Sequence, residues 1–288
     1  MKDEPRRYAT AAAFRTALEA RLKTMEQTEG VDLNRLRRQV SFDRLLARLF
    51  SEQNTPWLLK GGYAMELRMR TARTTKDIDL SLPANAPSGM KRQVLQHLQA
   101  GAARDLKDFF VFTIGQPMLG LDAAPEGGAR YPVTASLAGR IFTKFHLDVG
   151  MGDATIQPTE LLEGRNWLDF AGVQPPKFVA ISKEQQFAEK LHAYTLPRTE
   201  GTNSRVKDVI DMALLLRLGT LDRERLREAI RTTFALRDTH IVPVVLPAPP
   251  ASWEAPYRTL ASECSLDWTL REAMQRIGTL LGISAPMR

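Results

Sequence analysis

The segment Lys76-Asp-Ile-Asp-Leu-Ser-Leu82 alternates polar and apolar side chains, and nothing else in the chain limits its fold so tightly. Residues two apart on a strand face the same way. Asp77 and Asp79 therefore project together while Ile78 and Leu80 turn into a core. Two ionised carboxylates held side by side repel, and a divalent cation relieves that repulsion. A bare Asp-x-Asp can equally be a solvated pair at a strand end, so its meaning depends on its neighbours.

Upstream, Trp57-Leu-Leu59 reads as a short buried strand, broken by Gly61-Gly62, with a helix from Tyr63 to Arg70. A glycine pair between strand and helix lets backbone approach a phosphate, and the helix start supplies free N–H groups. By itself Gly-Gly also marks any tight turn. Downstream, three segments read as strands separated by turns: Phe109 to Ile114, Tyr131 to Leu137 and Phe145 to Gly150. The last contains Leu147-Asp-Val149, an acid between apolar neighbours. That placement is costly unless Asp148 binds a metal or pairs with Lys144 or a nearby arginine.

Helical spacing covers about Ala11 to Glu52, with arginines including Arg44 and Arg48 on outer faces, and again about Lys91 to Leu106. Beyond Pro158 helical patterns dominate: Lys183–Tyr194, Val206–Leu218, Arg223–Thr233 and Leu270–Leu281. Pro243 to Pro256 carries five prolines and reads as a connector. The expected fold class is α/β (α+β), a mixed-sheet domain over residues 1–155 followed by a mainly helical domain over 156–288.

A net charge of +7 and a pI near 9.7 favour a polyanionic partner. The single cysteine, Cys264, excludes an internal disulfide and a multi-cysteine metal site. No run approaches the ~20 apolar residues of a membrane helix, and the first residues lack an apolar signal core. The expected setting is the cytoplasm, away from membranes.

In order, the chain offers strand, Gly-Gly, helix, Asp-x-Asp strand and a later strand with one Asp. This supplies a triphosphate cradle and three carboxylates, and it resembles nucleotidyltransferases of the polymerase β superfamily. The fourteen residues between Gly62 and Asp77 are more than is typical there. Several blocks narrow the resemblance: Lys60-Gly-Gly-Tyr-Ala-Met-Glu-Leu-Arg68, Arg73-Thr-Thr-Lys-Asp-Ile-Asp-Leu80, Ala188-Glu-Lys-Leu-His-Ala193, Arg205-Val-Lys-Asp-Val-Ile-Asp211 and Phe234-Ala-Leu-Arg-Asp-Thr-His240. They are similar to the AbiEii/AbiGii (MenT-like) toxin family.

The resemblance implies roles. Asp77, Asp79, Lys190 and Asp211 would be catalytic. Lys60, Gly61, Gly62, Thr75, Lys190 and Lys207 would bind the nucleotide, and Asp77, Asp79 and Asp148 would hold the metal. Lys207 and Asp211, at i and i+4, are expected to share a helix face. Counting back along the strand puts the Thr75 hydroxyl on the face of Asp77, as a donor to phosphate or a target of phosphorylation. Arg68, Arg70, Arg73 and Lys76 are further phosphate candidates, and His146 should lie on the side of Asp148. The implied cofactor is Mg2+, with Mn2+ as substitute, and the substrate a nucleoside triphosphate. The implied partners are an RNA acceptor, the tRNA 3′ end foremost, and a cognate antitoxin encoded nearby. Transfer to a small molecule such as an antibiotic, or a non-catalytic nucleic-acid-binding protein, are the alternatives. The surplus of positive charge speaks against a pocket for cationic drugs.

Overall fold

The computed structural model describes residues 8–52, 55–69, 72–120, 124–197 and 204–284. Arg70 lies outside them. Where the spacing suggests one long helical stretch, two helices form, α1 (Ala11–Glu29) and α2 (Leu33–Leu49). Gly30 ends the first in the left-handed region at φ 66°. Asp32 then starts the second by accepting from Arg35 N at 2.8 Å. Arg44 and Arg48 do not decorate an outer face. Both are buried against the fully buried Asp108, with Arg44 Nε 2.6 Å from its carboxylate. A buried carboxylate requires such partners, and that requirement overrides the helix-surface reading.

The sheet is mixed and has eight strands among the described residues: β1 (Leu58–Lys60), β2 (Asp77–Pro83), β3 (Phe110–Ile114), β4 (Leu119–Gly120), β5 (Gly128–Leu137), β6 (Arg140–Asp153), β7 (Glu160–Glu163) and β8 (Lys177–Ala180). Their order is β3-β5-β6-β2-β1-β8-β7, with β4 on β5. β1 runs antiparallel to β2 and parallel to β8. Between β1 and β2 stands α3 (Gly61–Arg68), and between β2 and β3 come α4 (Ser88–Arg92) and α5 (Val94–Ala102). The helices after the sheet are α6 (Lys183–Thr195), α7 (Val206–Arg217), α8 (Arg223–Arg237), α9 (Glu254–Glu263) and α10 (Leu270–Leu281). α9 begins inside the proline-rich stretch, with Pro256 in its first turn, where a missing N–H costs nothing.

Two compact units result. The first comprises Met1–Leu67, Thr74–Gly152 and Leu161–Ala180; the second comprises Arg68–Arg73, Asp153–Glu160 and Ile181–Arg288. A single boundary near residue 155 does not describe this division. β7 and β8 rejoin the sheet after it, and Leu59 pairs with Ala180. These strands have four residues each, too few for the alternation to stand out beside Pro175 and Pro176. No helix among the described residues is long and apolar enough to cross a membrane.

Candidate active site

In the first unit, Ile78 and Leu80 are fully buried, which turns Asp77 and Asp79 together to the opposite face of β2. The pairing of β1 with β2 sets Lys60 across from Asp79, and the chain reverses at Gly61 with φ 65°. A Cβ built on Gly61 would lie 2.0 Å from Asp79 Oδ2, so only glycine leaves the carboxylate its place. The Gly62 N–H is directed at the same oxygen at 3.4 Å. A Cβ on Gly62 would meet Thr75 Oγ1 at 2.6 Å. Both glycines thus make room for side chains of the next strand and its approach.

Thr75 precedes β2, which begins at Asp77, so the strand alternation does not reach it. Its side chain packs on Gly62 and its hydroxyl donates to the Asp77 carbonyl at 3.2 Å. The donor predicted to serve a phosphate is used within the fold. Glu66, buried on α3, accepts from Thr75 N at 2.6 Å, from the Gln39 amide, and from Arg35 at 3.4 Å. It anchors the entry into β2.

On β6, Asp148 forms a two-point pair with Arg130 of β5, at 2.8 Å from Nε and 2.7 Å from Nη2. The same Nη2 lies 3.6 Å from Asp77 Oδ2. The Asp148 hydrogen bond, then the charges of Asp148, Asp77 and Asp79, hold the Arg130 guanidinium above its ordinary range. His146 presents Nδ1 to Asp77 Oδ1 at 3.3 Å, on the Asp148 side of the strand as its spacing predicts. Three aspartates, one arginine and one histidine therefore share one face.

This arrangement tests the metal set. Asp77 and Asp79 are both partly exposed and stand two apart on one strand. They fit a hard cation that takes one or two carboxylates, with phosphates and water completing its shell. Asp148, expected as a third ligand, here directs both its oxygens to Arg130. No group of three or more His, Cys, Asp or Glu among the described residues could hold a metal ion.

In the second unit, Lys190 of α6 stands between two carboxylates of α7, 2.9 Å from Asp208 and 3.0 Å from Asp211. Arg73 adds a two-point pair to Asp211 at 2.9 and 2.8 Å. Burial pulls Lys190 down, but Asp208 and Asp211 outweigh it and hold the ammonium above its usual range. Burial likewise raises Asp211, and Lys190 with Arg73 more than reverses this, leaving the carboxyl below its ordinary value. Lys207 does not share this face. It is exposed while Asp211 is fully buried, and no ion pair joins the two among the described residues. Asp208, three residues before Asp211, takes the place expected of it. Arg68 is likewise engaged, with Glu160 at 2.6 Å and with Gln186 and the Ile181 carbonyl, while Lys76 is exposed.

The sequence profile of the AbiEii nucleotidyltransferase toxins of type IV toxin–antitoxin systems matches residues 44–276. The chain belongs to this family. Its members are nucleotidyltransferases, enzymes that use nucleoside triphosphates and divalent metals, and the toxin–antitoxin pairing implies an antitoxin partner. The fold is similar to MenT4, a nucleotidyltransferase toxin from Mycobacterium tuberculosis H37Rv. That match has TM-score 0.51 and 16% identity, covering 96% of this chain and 100% of that one. JHP933 from Helicobacter pylori matches with TM-score 0.47 and 14% identity, over 88% of this chain and 95% of that one. No curated protein sequence matches.

Two residues around this candidate site escape motif reading. Arg130 becomes visible only once β5 and β6 are in register, and Glu66 looks like any helix acid until it is buried. The Ala138-Gly139 turn, with φ 52° and 69°, is the one local signal for Arg130. A two-residue hairpin turn there pairs β5 with β6, but counting outward from it sets Arg130 opposite Leu147, one residue short of Asp148.

Proposed function

We propose that the chain transfers a nucleotide from a nucleoside triphosphate, with Mg2+ or Mn2+, to a hydroxyl of an RNA, the tRNA 3′ end foremost. Such a modification blocks translation in the cytoplasm until the antitoxin intervenes. The observation that carries the reading is the pair Asp77 and Asp79 at the Gly61-Gly62 reversal, with Arg130 beside Asp77. Asp77 and Asp79 would hold the cation. When bound, it neutralises phosphate charge and polarises the reacting oxygen.

The chain's own residues do the rest. Gly61 and Gly62 keep the Asp79 carboxylate in place at the helix start. Arg130 keeps a permanent positive charge among three carboxylates and so limits their mutual repulsion. His146 offers a ring nitrogen at Asp77, suited to fixing that carboxylate's orientation. Lys190 is assigned to the triphosphate by its motif. Its contribution is an ammonium that burial does not discharge. The excess of 40 Lys and Arg over 33 Asp and Glu suits an RNA acceptor, whose phosphates attract such a surface.

The test is incubation with total RNA, Mg2+ and each labelled nucleoside triphosphate in turn. Label in the tRNA band from one triphosphate is the expected result. Label found only on a small acceptor, with RNA left untouched, would overturn the RNA reading while leaving the transferase intact.

A further inference from the structure

Within the second unit a groove of about 740 Å3 lies between α8, α10 and the segment after α8. Its floor is apolar, built from Leu226, Ile230 and Phe234 of α8 with Leu280 and Leu281 of α10. Next to the groove, Val245 bridges to Ser284 and Leu246 N donates to the Ser284 carbonyl at 3.1 Å, tying the segment after α8 to the chain just past α10. The rim carries three arginines and one acid, Asp238. Arg223, Arg227 and Arg231 line it at four-residue spacing, all exposed. A rise of ~1.5 Å per residue sets them ~6 Å apart in a row of ~12 Å. Arg227 pairs with Glu224, but neither Arg223 nor Arg231 has an ion-pair partner among the described residues.

The apolar surface continues past the groove. Ile241 is 84% exposed and Val244 80%, and Leu236, Val242 and Val245 are exposed as well. An uncovered run of this kind marks an interaction surface. Leu236, Val244 and Val245 do not line the groove, so a small molecule filling it would leave them wet. Nucleic acid would answer the arginines and ignore the floor. A protein helix answers both, because carboxylates four residues apart repeat at the same ~6 Å as the arginine row.

We propose that this groove docks an acidic amphipathic helix of a partner protein. Its aliphatic stripe fills the floor and covers Ile241 and Val244, and its carboxylates pair with Arg223 and Arg231. None of these residues belongs to the nucleotidyl-transfer machinery, so the proposal stands apart from the acceptor reading.

The probe is a fluorescein-labelled helical peptide with leucines at i, i+3, i+4 and i+7 and glutamates along one flank. Anisotropy with the full chain should show saturable binding. Arg223→Glu with Arg231→Glu should weaken it at least tenfold, and Ile241→Asn, at a fully accessible position, should do the same. Unchanged thermal midpoints would show that both variants fold; Val244→Asn serves if Ile241→Asn does not. Equal binding of a lysine-flanked peptide, no saturable binding, or variants that bind like wild type would overturn the proposal. So would dodecanoate binding where the peptide does not, or poly(U) binding that depends on the arginines but not on Ile241. Self-association abolished by Ile241→Asn would overturn it too, making a second copy the occupant.

Discussion

Asp211→Asn removes one charge from a cluster of two cations and two carboxylates. Asp211 is fully buried, accepts twice from Arg73, and lies 3.0 Å from Lys190. The variant leaves Lys190 with Asp208 and takes from Arg73 its two-point carboxylate partner. Breaking a buried pair by removing one partner costs about 3–5 kcal/mol. The side chains of Arg73 and Lys190 keep 11% and 17% exposure, so water relieves part of this and the lower end, about 3 kcal/mol, is expected. With a urea slope of about 3 kcal/mol/M, the midpoint should fall by about 1 M.

The variant should also lose pH dependence. The Asp211 carboxyl is held below its ordinary value, so its contribution is present above the unfolded pKa and disappears as pH falls through the folded one. Wild type should shed stability below about pH 4, and Asp211→Asn should shed less. Adding Arg73→Met to the variant removes the guanidinium whose carboxylate partner is gone and should recover about 1–2 kcal/mol. A loss below about 1 kcal/mol, or strict additivity in the double variant, would refute the charge-cluster reasoning.

Asp77→Asn and Asp79→Asn should each abolish label transfer while shifting the urea midpoint little, because both carboxylates are partly exposed; retained activity at saturating Mg2+ would remove them from the metal site. Gly61→Ala forces a Cβ onto Asp79 at φ 65°. It should cost about 1–3 kcal/mol of stability in denaturant titration and nearly all transfer activity. Burial pushes the Asp43 carboxyl up to about 6, although Tyr63 donates to it at 2.6 Å and Arg165 N at 2.9 Å. Between pH ~4 and ~6 the folded state keeps a proton that the unfolded state releases, so stability should fall by about 3 kcal/mol as pH rises. Asp43→Asn should flatten that slope in unfolding curves taken across the window.

Much of the site was legible in the sequence because its logic is local. Strand alternation places Asp77 beside Asp79 whatever the rest of the chain does, and Gly61-Gly62 announces a reversal no other residue pair would tolerate. Helical spacing likewise found α6, α7, α8 and α10 within a few residues of their ends. Non-local partners were not legible. Whether Asp211 meets Lys207 or Arg73 depends on which face of α7 is buried, and that face is chosen by packing.

Asp148 shows the division most plainly. The sequence determined that an acid sits on an apolar strand and needs a partner. Near the Ala138-Gly139 turn the ladder pairs Leu137 with Arg140 and Ser136 with Ile141, a register that would bring Arg130 opposite Leu147 and onto the wrong face. The irregularity between Ala135 and Ser136 advances the pairing by one residue, and Arg130 then stands opposite Asp148. A one-residue slip turns every side chain to the other face of a sheet, so the partner of Asp148 was decided by the bulge and by the core it lets β5 and β6 share.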